Sequence, residues 1–485
     1  MKSKDKKALK DSHIQMNYKA ILFYLGLFIF PLSALSFLNI LYSTYFDYFL
    51  SIQSYTITFF LTLAVGSFFC FYAKNSLKKI NFYEQLFLII LVYLVSSLFI
   101  ALPYYLSNYQ ITFVDSLFES FSGLTSTGFS IFENIKYLDP TLILWRSSSQ
   151  WIGGLYFLTF LIIIFSNNQY NFRLNHLVYT GNMGSFSKSN TKNILLQIFL
   201  VYSLLTLLIL IILSIGNVRL FNSLNLSMTI ISNGGFLPAN NLDQIFQKDN
   251  RYILALALLI PTLNIFFLFN FYSKKKIVNN HQEDLFLIIF ISILSLIMFY
   301  SFKNINMSEI IVNIISSISN SGISFTKSSS GTIIFIFLCA MGGSLISNSS
   351  GIKFIRIYIL IKTAAAEIIR LVRPNNVFNN TIFYSEKKID NQLVNLSFLI
   401  FISFFISIFF LSSILVLDNI NFENSFKLSI LTLTNTTNSS LYGVGEINFG
   451  NLLNSTKLFL IIFMIIGKIE LISILILFKK LLLKE

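Results

Sequence analysis

Long uncharged apolar stretches constrain the fold of this 485-residue chain more than any other feature. A helix needs about 20 mainly apolar residues to cross a hydrocarbon core roughly 30 Å thick, since each residue adds about 1.5 Å. Charged residues make up only 12% of the chain, roughly half of what a soluble domain carries. The sequence therefore predicts an all-α polytopic membrane protein. Ten stretches meet or approach the required length, at residues 19–41, 54–73, 86–106, 141–167, 194–216, 252–272, 285–301, 331–361, 392–417 and 456–478.

The residue types that build reactive centres are few and dispersed. Both cysteines lie in apolar stretches and the three histidines lie in polar segments, which argues against a disulfide framework and against a cysteine or histidine metal site. The chain has neither a phosphate-binding G-x-x-x-x-G-K-[ST] motif nor a dinucleotide-binding G-x-G-x-x-G motif on a strand. We therefore expect no enzymatic activity and no cofactor in this chain.

The distribution of basic residues predicts the orientation in the membrane. With the amino terminus in the cytoplasm and ten crossings, 25 of the 35 Lys and Arg fall on the cytoplasmic side, and both termini are then cytoplasmic. The basic start leads into a long apolar run without a small-residue cleavage site, so we expect no cleavable signal peptide. The formal net charge of +14 reflects this asymmetry and does not indicate binding to nucleic acid.

Four shorter segments between the spans, on the outer side, repeat one another without a gap. Their first residues supply hydrogen-bond acceptors or negative charge, which a helix N-terminus favours. An apolar run follows, and the last four residues are small and mostly polar. One such segment alone is typical of an extracellular linker, but four in register indicate a repeated structure. The segments are FVDSLFESFSGLTSTG (113–128), LFNSLNLSMTIISNGG (220–235), MSEIIVNIISSISNSG (307–322) and FENSFKLSILTLTNTT (422–437).

Each repeated segment has room for about 10–12 helical residues, or about 15–18 Å, which is half a bilayer. The helix is therefore expected to enter from outside and to end near the membrane centre. The non-helical residues that follow can lie at that depth only if they are buried in protein or line a water-filled cavity. Four such loops on one axis would surround an ion path with carbonyl oxygens, and four helix C-termini would favour a cation there. The predicted filter residues are Thr125, Ser126, Thr127, Gly128, Ser232, Asn233, Gly234, Gly235, Ser319, Asn320, Ser321, Gly322, Thr434, Asn435, Thr436 and Thr437.

Several longer motifs resemble a known family. They are S-G-L-T-S-T-G-F-S at 122–130, W-R-S-S-S-Q-W-I-G-G at 145–154, S-N-G-G-F at 232–236, G-G-S-L-I-S-N-S-S-G-I-K-F-I-R at 342–356 and G-K-I-E at 467–470. On these residues the chain resembles the Trk/Ktr/HKT superfamily of potassium-uptake proteins, and most closely its TrkH-type membrane subunit. The resemblance covers almost all of the chain from about residue 80, with two extra leading helices as that type has.

The resemblance implies four tandem helix–pore-loop–helix repeats around one central path, with a filter glycine in each loop. Carried over by position, three of these are Gly128, Gly235 and Gly322, whereas Thr437 occupies the fourth position. The glycines of G-V-G (443–445) could supply the fourth only if that loop were shifted. In the plant branch, loss of a filter glycine accompanies sodium permeation, although there the change lies in the first repeat. Potassium is favoured, and sodium or mixed transport stays open.

The second span of repeat three is interrupted at 341–351 by glycine and small polar residues. Such a run must be buried, because lipid cannot pair its backbone groups. In the family the matching loop is an intramembrane gate below the filter; a packing kink is the alternative.

In the middle of the last span, Lys468 would be a buried cation, which costs about 3 kcal/mol or more. The family generally has arginine there as a positive barrier beside the pore; a salt-bridged structural lysine is the alternative. The predicted gate residues are Gly342, Gly343, Ser344, Ser347, Asn348, Gly351 and Lys468.

Five polar residues near the outer side are secondary candidates. Arg146 and Gln150 are spaced i, i+4 at the start of the fourth span, and we expect them to brace the filter loop rather than contact the ion. Asp115, Glu119 and Glu309 would either add negative charge near the outer mouth, which raises the local cation concentration, or cap helices.

The repeats divide the chain. The expected divisions are a cytoplasmic basic tail (1–17), two extra N-terminal spans (18–80), pore repeats one (81–173) and two (174–278), repeat three with the broken gate helix (279–375) and repeat four (376–485). The family implies a homodimer and a cytosolic, nucleotide-binding TrkA-like regulatory ring. The basic segment 353–388 would attract lipid headgroups and, in the family, this side also docks the ring.

These features predict potassium uptake across a bacterial inner membrane, with K⁺ as the transported ion. A membrane potential of 100 mV supplies about 2.3 kcal/mol per charge for inward movement. Two other classes stay open. A proton- or sodium-coupled symporter would normally carry carboxylates on broken helices at mid-membrane, whereas the loops here hold hydroxyls and amides. A membrane-embedded enzyme would need clustered acid, base or metal ligands, which the dispersed His and acidic residues do not supply.

Overall fold

A computed structural model describes residues 16–48, 52–74, 80–166, 191–246, 250–268, 281–302, 305–325, 331–373, 381–383, 389–445 and 447–469. This part of the chain contains fifteen α-helices: α1 (Tyr18–Tyr45), α2 (Ile52–Tyr72), α3 (Phe82–Tyr105), α4 (Phe113–Leu124), α5 (Pro140–Ser166), α6 (Thr191–Ile215), α7 (Leu220–Ile231), α8 (Arg251–Thr262), α9 (Gln282–Ser301), α10 (Met307–Ser319), α11 (Thr332–Met341), α12 (Phe354–Val372), α13 (Asn391–Leu417), α14 (Phe422–Leu433) and α15 (Asn454–Ile469). Short 3₁₀ turns lie at Ile135–Tyr137, Leu242–Gln244, Ser440–Tyr442 and Phe449–Asn451.

Six helices in the described ranges are long and apolar enough to cross a membrane: α1, α2, α3, most of α6, α9 and α13. The prediction of an all-α polytopic membrane protein is confirmed. The span predicted at 141–167 is α5, and the last predicted span begins as α15. The end of that span, beyond residue 469, and the first fifteen residues of the predicted basic tail lie outside the described residues.

The prediction of one continuous span at 252–272 is wrong. Helix α8 ends at Thr262, after twelve residues, and the next four residues are not helical. The backbone groups freed by this break are paired inside the protein, as a low-dielectric surrounding requires. The N–H of Asn264 donates to Oδ1 of Asp284 at 2.8 Å, and the N–H of Ile265 donates to the carbonyl of Ile346 at 3.1 Å. The sequence pattern missed the break because the residues after Thr262 are almost as apolar as those before it.

The four short helices α4, α7, α10 and α14 are the predicted pore helices. Each begins at the first residue of its repeated segment and is twelve or thirteen residues long. Each also packs against the second span of the preceding repeat: α7 against α5, α10 against α8, and α14 against α11. Helix α4 of the first repeat packs against α15 of the last. The four repeats therefore close into a ring.

The leading hairpin of α1 and α2 lies beside repeat one. Helix α1 packs against α3 and α5 as well as α2. The hydroxyl of Tyr156 on α5 donates to the carbonyl of Phe28 on α1. Within repeat one, the indole N–H of Trp145 donates to the carbonyl of Ile100 at 3.1 Å. These polar contacts orient the spans of repeat one around pore helix α4.

A buried ion pair joins α4 to α5. Nε of Arg146 lies 2.9 Å from Oε1 of Glu119, and both side chains are at most 1% exposed. The same carboxylate accepts the N–H of Ile131 at 2.9 Å and the hydroxyl of Ser130 at 3.1 Å. The guanidinium lies 4.1 Å from the ring centroid of Phe236 in the second loop. Arg146 therefore braces the first filter loop, and the idea that Glu119 adds negative charge at the outer mouth is wrong, because its charge is buried and paired.

We expect Arg146→Met to lower the free energy of unfolding by about 3–5 kcal/mol, because it leaves the Glu119 carboxylate buried without its partner. Thermal unfolding of the purified protein in detergent measures the effect. The matched control is Arg370→Met, which removes the 2.8 Å ion pair with Glu367 between two side chains that are more than half exposed. Such pairs contribute about 0–1 kcal/mol. Equal shifts in the two variants would contradict the bracing role of Arg146.

Candidate functional site

The backbone makes the same turn in all four predicted filter loops. The fourteenth residue of each repeated segment is Ser126, Asn233, Asn320 or Asn435, and their φ angles are 61°, 55°, 67° and 51°. This left-handed conformation is uncommon for residues with a Cβ, and asparagine is the residue that tolerates it best after glycine. All four residues are buried. The shared turn supports the gap-free register of the four segments, including the fourth loop.

Three asparagines at this turn tie the loop to the second span of their own repeat. Nδ2 of Asn233 donates to the carbonyl of Pro261 at 3.4 Å. Nδ2 of Asn320 donates to the carbonyl of Cys339 at 2.8 Å, and Nδ2 of Asn435 to that of Met464 at 2.9 Å. The three amides thereby supply donors to main-chain carbonyls in the interior of the protein. Sequence reasoning assigned these residues to the filter but missed this structural role.

In repeats one and four, a glycine lets the second span approach the end of the pore helix. A Cβ on Gly153 would lie 1.9 Å from the carbonyl oxygen of Leu124, and one on Gly467 would lie 2.3 Å from that of Leu433. Leu124 and Leu433 are the last residues of α4 and α14. Both distances are far below any real contact of a methyl group, so no other residue fits these positions without movement.

The hydroxyls next to the turn bond to one another behind the loop. In loop one, Oγ1 of Thr125 lies 2.7 Å from Oγ1 of Thr127, and in loop four the corresponding distance from Thr434 to Thr436 is 2.9 Å. The same pair in loop three, between Ser319 and Ser321, is 3.0 Å long. In these loops the hydroxyls are engaged in pairs, which leaves main-chain carbonyls as the better candidates for ion ligands.

Cys339 on α11 supports the fourth loop from behind. Its sulfur lies 3.0 Å from Oγ1 of Thr434 and 2.9 Å from Oγ1 of Thr436. In the second loop, Gln150 of α5 takes the supporting position: a Cβ on Gly234 would lie 2.2 Å from its Oε1, which accepts the N–H of Phe236 at 3.3 Å. Gln150 therefore braces a filter loop, as the sequence predicted. The role of Cys339 was missed, because a lone cysteine in an apolar span carries no sequence signal.

The backbone conformation requires glycine at the last position of two of the four loops and does not require it in the other two. Gly128 has φ of 79° and Gly322 has φ of 68°, so the backbone of loops one and three requires glycine. Gly235 and Thr437 do not have positive φ. Threonine at the fourth position therefore costs no backbone strain. The absent fourth glycine is compatible with the fold, and the glycines of 443–445 are not needed to replace it.

The side chain of Thr437 occupies space that borders all three filter glycines. A Cβ on Gly128 would lie 2.1 Å from its Oγ1, and one on Gly235 would lie 1.6 Å from the same atom. A Cβ on Gly322 would lie 2.5 Å from its carbonyl oxygen. The hydroxyl of Thr437 also donates to the carbonyl of Thr127 at 3.0 Å. The four loops therefore converge at this point, and one threonine hydroxyl lies among them.

The interrupted segment of repeat three is a buried loop between α11 and α12, which we call the gate loop (342–353). Gly342 and Gly351 have positive φ, 69° and 80°. The hydroxyl of Ser347 donates to the carbonyl of Ser344 at 2.6 Å, and the N–H of Gly343 donates to the hydroxyl of Ser349 at 3.0 Å. The predicted break in this span is present, and it is internally hydrogen-bonded rather than irregular.

The gate loop is also bonded to the elements around it. Nδ2 of Asn348 donates to the carbonyl of Ile231, the last residue of pore helix α7, at 2.6 Å. The N–H of Ser344 donates to the carbonyl of Thr262, where α8 ends, at 3.0 Å. The N–H of Leu345 donates to Oε1 of Glu283 at 2.9 Å. The gate loop thus lies directly against the end of one pore helix and fills the break in α8.

Two lysines lie near one aromatic ring beside the gate loop. Lys468 on α15 is 1% exposed, and its Nζ lies 4.8 Å from the ring centroid of Phe157. Nζ of Lys353, the last residue of the gate loop, lies 5.7 Å from the same centroid. The structure therefore brings the predicted Lys468 close to the gate loop. The sequence placed Lys353 in the basic segment 353–388 that was expected to attract lipid headgroups. That expectation is wrong for Lys353, which is 1% exposed and belongs to the gate loop.

A family model described as a cation transport protein, TrkH, matches residues 51–485. The chain belongs to the TrkH family. The match includes all four filter loops, the gate loop and Lys468, so the features described above lie within the family's shared region.

Related proteins align with most of the chain. The Trk system potassium uptake protein TrkH of Salmonella typhimurium is 24% identical over 448 residues, which cover 88% of this chain and 91% of that protein. An uncharacterized cation transporter of Methanocaldococcus jannaschii is 25% identical over 310 residues, covering 62% of this chain and 63% of that one. The crystal structure of the potassium transporter TrkH from Vibrio parahaemolyticus superimposes with a TM-score of 0.81 at 20% identity, over 95% of this chain and 98% of that one. This last likeness establishes the fold.

We expect Asn435→Ala to widen the range of monovalent cations that the protein passes, because the variant loses the bonds from Nδ2 to the carbonyl of Met464 and to Oγ1 of Thr127. Fluxes of K⁺, Rb⁺, Na⁺ and Li⁺ into liposomes that contain the purified protein measure this range. The control Asn250→Ala removes a similar 2.8 Å amide–carbonyl bond, to Gly216, away from the filter. Unchanged flux ratios in Asn435→Ala would show that the tie does not shape the filter.

Proposed function

We propose that this protein takes up K⁺ through the four filter loops, with the membrane potential as driving force. The observation that carries the proposal is the common register of the four loops: the four pore helices end at the twelfth or thirteenth residue of their segments, and each is followed by the same left-handed turn. The C-terminus of each helix carries about half a negative charge, so four of them favour a cation at their meeting point. Main-chain carbonyls can replace the water shell of such a cation.

Selectivity for K⁺ over Na⁺ is favoured because the fourth loop keeps, at Asn435, the left-handed turn that all four loops share. Thr437 adopts a conformation open to any residue, so its presence need not distort the carbonyls of its loop. Its hydroxyl is bonded to the carbonyl of Thr127. That bond uses the O–H as donor and holds the side chain in one place, so the lone pairs of the hydroxyl oxygen stay able to face an ion. A filter widened by Thr437, which would pass Na⁺ as well, is the second candidate.

In this proposal the gate loop closes the inner side of the filter. It is buried, lies against the end of α7 and has glycines with positive φ at both ends. Two left-handed glycines allow the loop to change course without moving α11 or α12, since glycine adopts both signs of φ with little penalty. Lys468 adds a positive charge beside the loop, which opposes the passage of cations while the loop is closed.

Several wider features belong to the same proposal. The family relationship supports placement in a bacterial inner membrane with both termini in the cytoplasm, and the excess of basic residues on that side supports the orientation. We also propose a homodimer that binds a cytosolic, nucleotide-binding regulatory ring. Lys353 and Arg356 at the start of the basic segment 353–388 are buried, so only the later basic residues of that segment are proposed to face the ring and the lipid headgroups. Coupling to protons or sodium stays a second possibility for the driving force, and the six-part domain division stays a prediction.

Flux into liposomes under an imposed potential tests the proposal. We expect K⁺ and Rb⁺ to enter and Na⁺ and Li⁺ to be largely excluded, in proportion to the potential and without a proton gradient. Comparable Na⁺ entry would support the mixed-cation alternative. Flux that requires an imposed proton or sodium gradient would support coupled transport, and no flux of any monovalent cation would refute the proposal.

Within the same assay, Gly128→Ser should reduce the preference for K⁺ over Na⁺ by roughly tenfold. A residue with a Cβ in the left-handed conformation costs about 1–2 kcal/mol, and 1.4 kcal/mol corresponds to a factor of ten. The added Cβ would also meet Oγ1 of Thr437. Thr437→Gly is the companion variant: it removes the side chain without a change of φ, and we expect it to keep the preference for K⁺. An unaltered preference in Gly128→Ser would refute the filter assignment.

Removal of the buried charge in Lys468→Ala should raise the K⁺ flux by roughly tenfold, because a lysine beside the path repels the cation by about 1–2 kcal/mol at the effective dielectric constant of a protein. Lys468→Arg keeps the charge and should leave the flux low. Lys427→Ala, which removes a lysine that pairs with Glu423 on pore helix α14, is the control for a general loss of positive charge. A fall in flux for Lys468→Ala in protein that is well folded would assign a structural role to this lysine.

A further inference from the structure

Lys353 ends the gate loop in a conformation that turns its side chain back into the loop. It has φ of 79°, which is rare for a residue with a long side chain, and it immediately precedes α12. The side chain is 1% exposed. A buried lysine in a strained backbone conformation is costly, so its retention indicates a compensating interaction.

The interaction is a cage of oxygens that the gate loop provides. Nζ of Lys353 lies 3.3 Å from the carbonyl oxygen of Ser344 and 3.2 Å from that of Ser347, and it also contacts the carbonyl oxygen of Ser349. The hydroxyls of Ser347 and Ser349 lie at 3.4 and 3.2 Å. An ammonium group has three N–H donors, whereas five oxygens surround it. The cage therefore has more oxygens around the positive charge than the three N–H groups can bond to, as is the case in a site that binds a metal ion.

The chemistry of the cage matches that of a site for a dehydrated monovalent cation. Channels bind such ions with converging carbonyl oxygens, which replace the lost water molecules. Here three carbonyls and two hydroxyls belong to residues 344–349 of one loop, so the cage exists only while the loop keeps this course. The aromatic face of Phe157 lies 5.7 Å from the ammonium and adds a further attraction for positive charge.

We propose that the gate loop is a cation-binding site whose ligand is the ammonium group of Lys353. The tethered ammonium balances the carbonyls of Ser344, Ser347 and Ser349 and so holds the loop in its closed course. Without it the carbonyls of Ser347 and Ser349 would lose their ammonium donor in a buried space, and the carbonyl of Ser344 would keep only the hydroxyl of Ser347. The closed course would therefore lose stability. The vacated cage would then accept a small free ammonium ion. This inference rests on the proposed function only in placing the gate loop in the conduction path.

The other contacts of the loop explain why the ammonium has a specific task. Asn348, Ser344 and Leu345 anchor the loop to α7, α8 and α9. Those bonds fix the outer edge of the loop, and none of them neutralises the carbonyls that face inward. Lys468 lies near the same ring of Phe157. Within the described residues, Lys468 makes no hydrogen bond to the cage oxygens. Lys353 and Lys468 therefore make distinct contributions: one binds the loop, and the other adds charge beside it.

The test uses the full chain in a planar lipid bilayer, with K⁺ current measured for the wild type, Lys353→Ala and the control Lys362→Ala. Lys362 also donates to a main-chain carbonyl, that of Thr381, but it lies away from the gate loop. We expect Lys353→Ala to raise the K⁺ current at least severalfold and Lys362→Ala to leave it unchanged. Ethylammonium, added to the inner side at millimolar concentration, should return the Lys353→Ala current toward the wild-type level. Tetramethylammonium has the same charge but no N–H donor, so it should not.

Each outcome decides a separate point. A higher current that ethylammonium suppresses and tetramethylammonium does not would support the cage. No increase in current, or equal block of the wild type and the variant by both ions, would overturn it. If Lys353→Ala elutes as aggregate, Lys353→Met keeps the methylene stem without the charge, and the same measurements apply. A wild type that passes no monovalent cation at all would refute the proposed function instead, and the two failures are therefore distinguishable.

Discussion

The pairing of main-chain polar groups at membrane depth is the constraint on which the rest of the structure depends. Four filter loops, the break after α8 and the gate loop all leave the helical hydrogen-bond pattern, and lipid offers no substitute partners. Apart from the loop carbonyls that are proposed to face the ion, their polar groups find partners within the protein. Asparagine amides tie three loops to their spans, and the break in α8 and the gate loop bond to each other through Thr262 and Ser344. Irregular backbone is thus concentrated where the ion path is proposed, and helices surround it on all sides.

The ring of four repeats has a two-fold rather than a four-fold character. Loops one and three end in glycines with positive φ, and their pore helices carry an acid at the third position, Asp115 and Glu309. Each acid pairs with a base from the second span of the preceding repeat. Arg251 of repeat two bonds to Glu309, and Lys457 of repeat four lies 2.6 Å from Asp115. Ion pairs therefore connect repeat two to repeat three and repeat four to repeat one. The loops that end in glycines with positive φ are thus the loops whose pore helices form these ion pairs.

Much of this arrangement could be predicted from the residues alone. The apolar stretches predict the spans, and the gap-free repetition predicts the starts of all four pore helices, because capping residues and hydrophobic runs are local signals. The break in the third repeat is visible in its glycines and serines. The break in α8 has one local signal, Pro261 near the end of the helix. The partners that stabilise a non-helical course for the apolar residues after it lie on α9 and the gate loop, which the sequence does not show. For the same reason the roles of Cys339 and Lys353 escaped notice, since these roles depend on contacts with residues distant in sequence or on a fold of the loop that composition does not specify.

The position of Thr437 has a consequence for how this filter can change over evolutionary time. A Cβ at Gly235 would lie 1.6 Å from the hydroxyl of Thr437, although neither backbone requires glycine. The same Cβ would lie 2.6 Å from the carbonyl oxygen of Ser321, which belongs to the backbone of loop three. Glycine at 235 is therefore constrained twice, once by the threonine of the fourth loop and once by the main chain of the third. It should persist in descendants of this filter even where that threonine is lost.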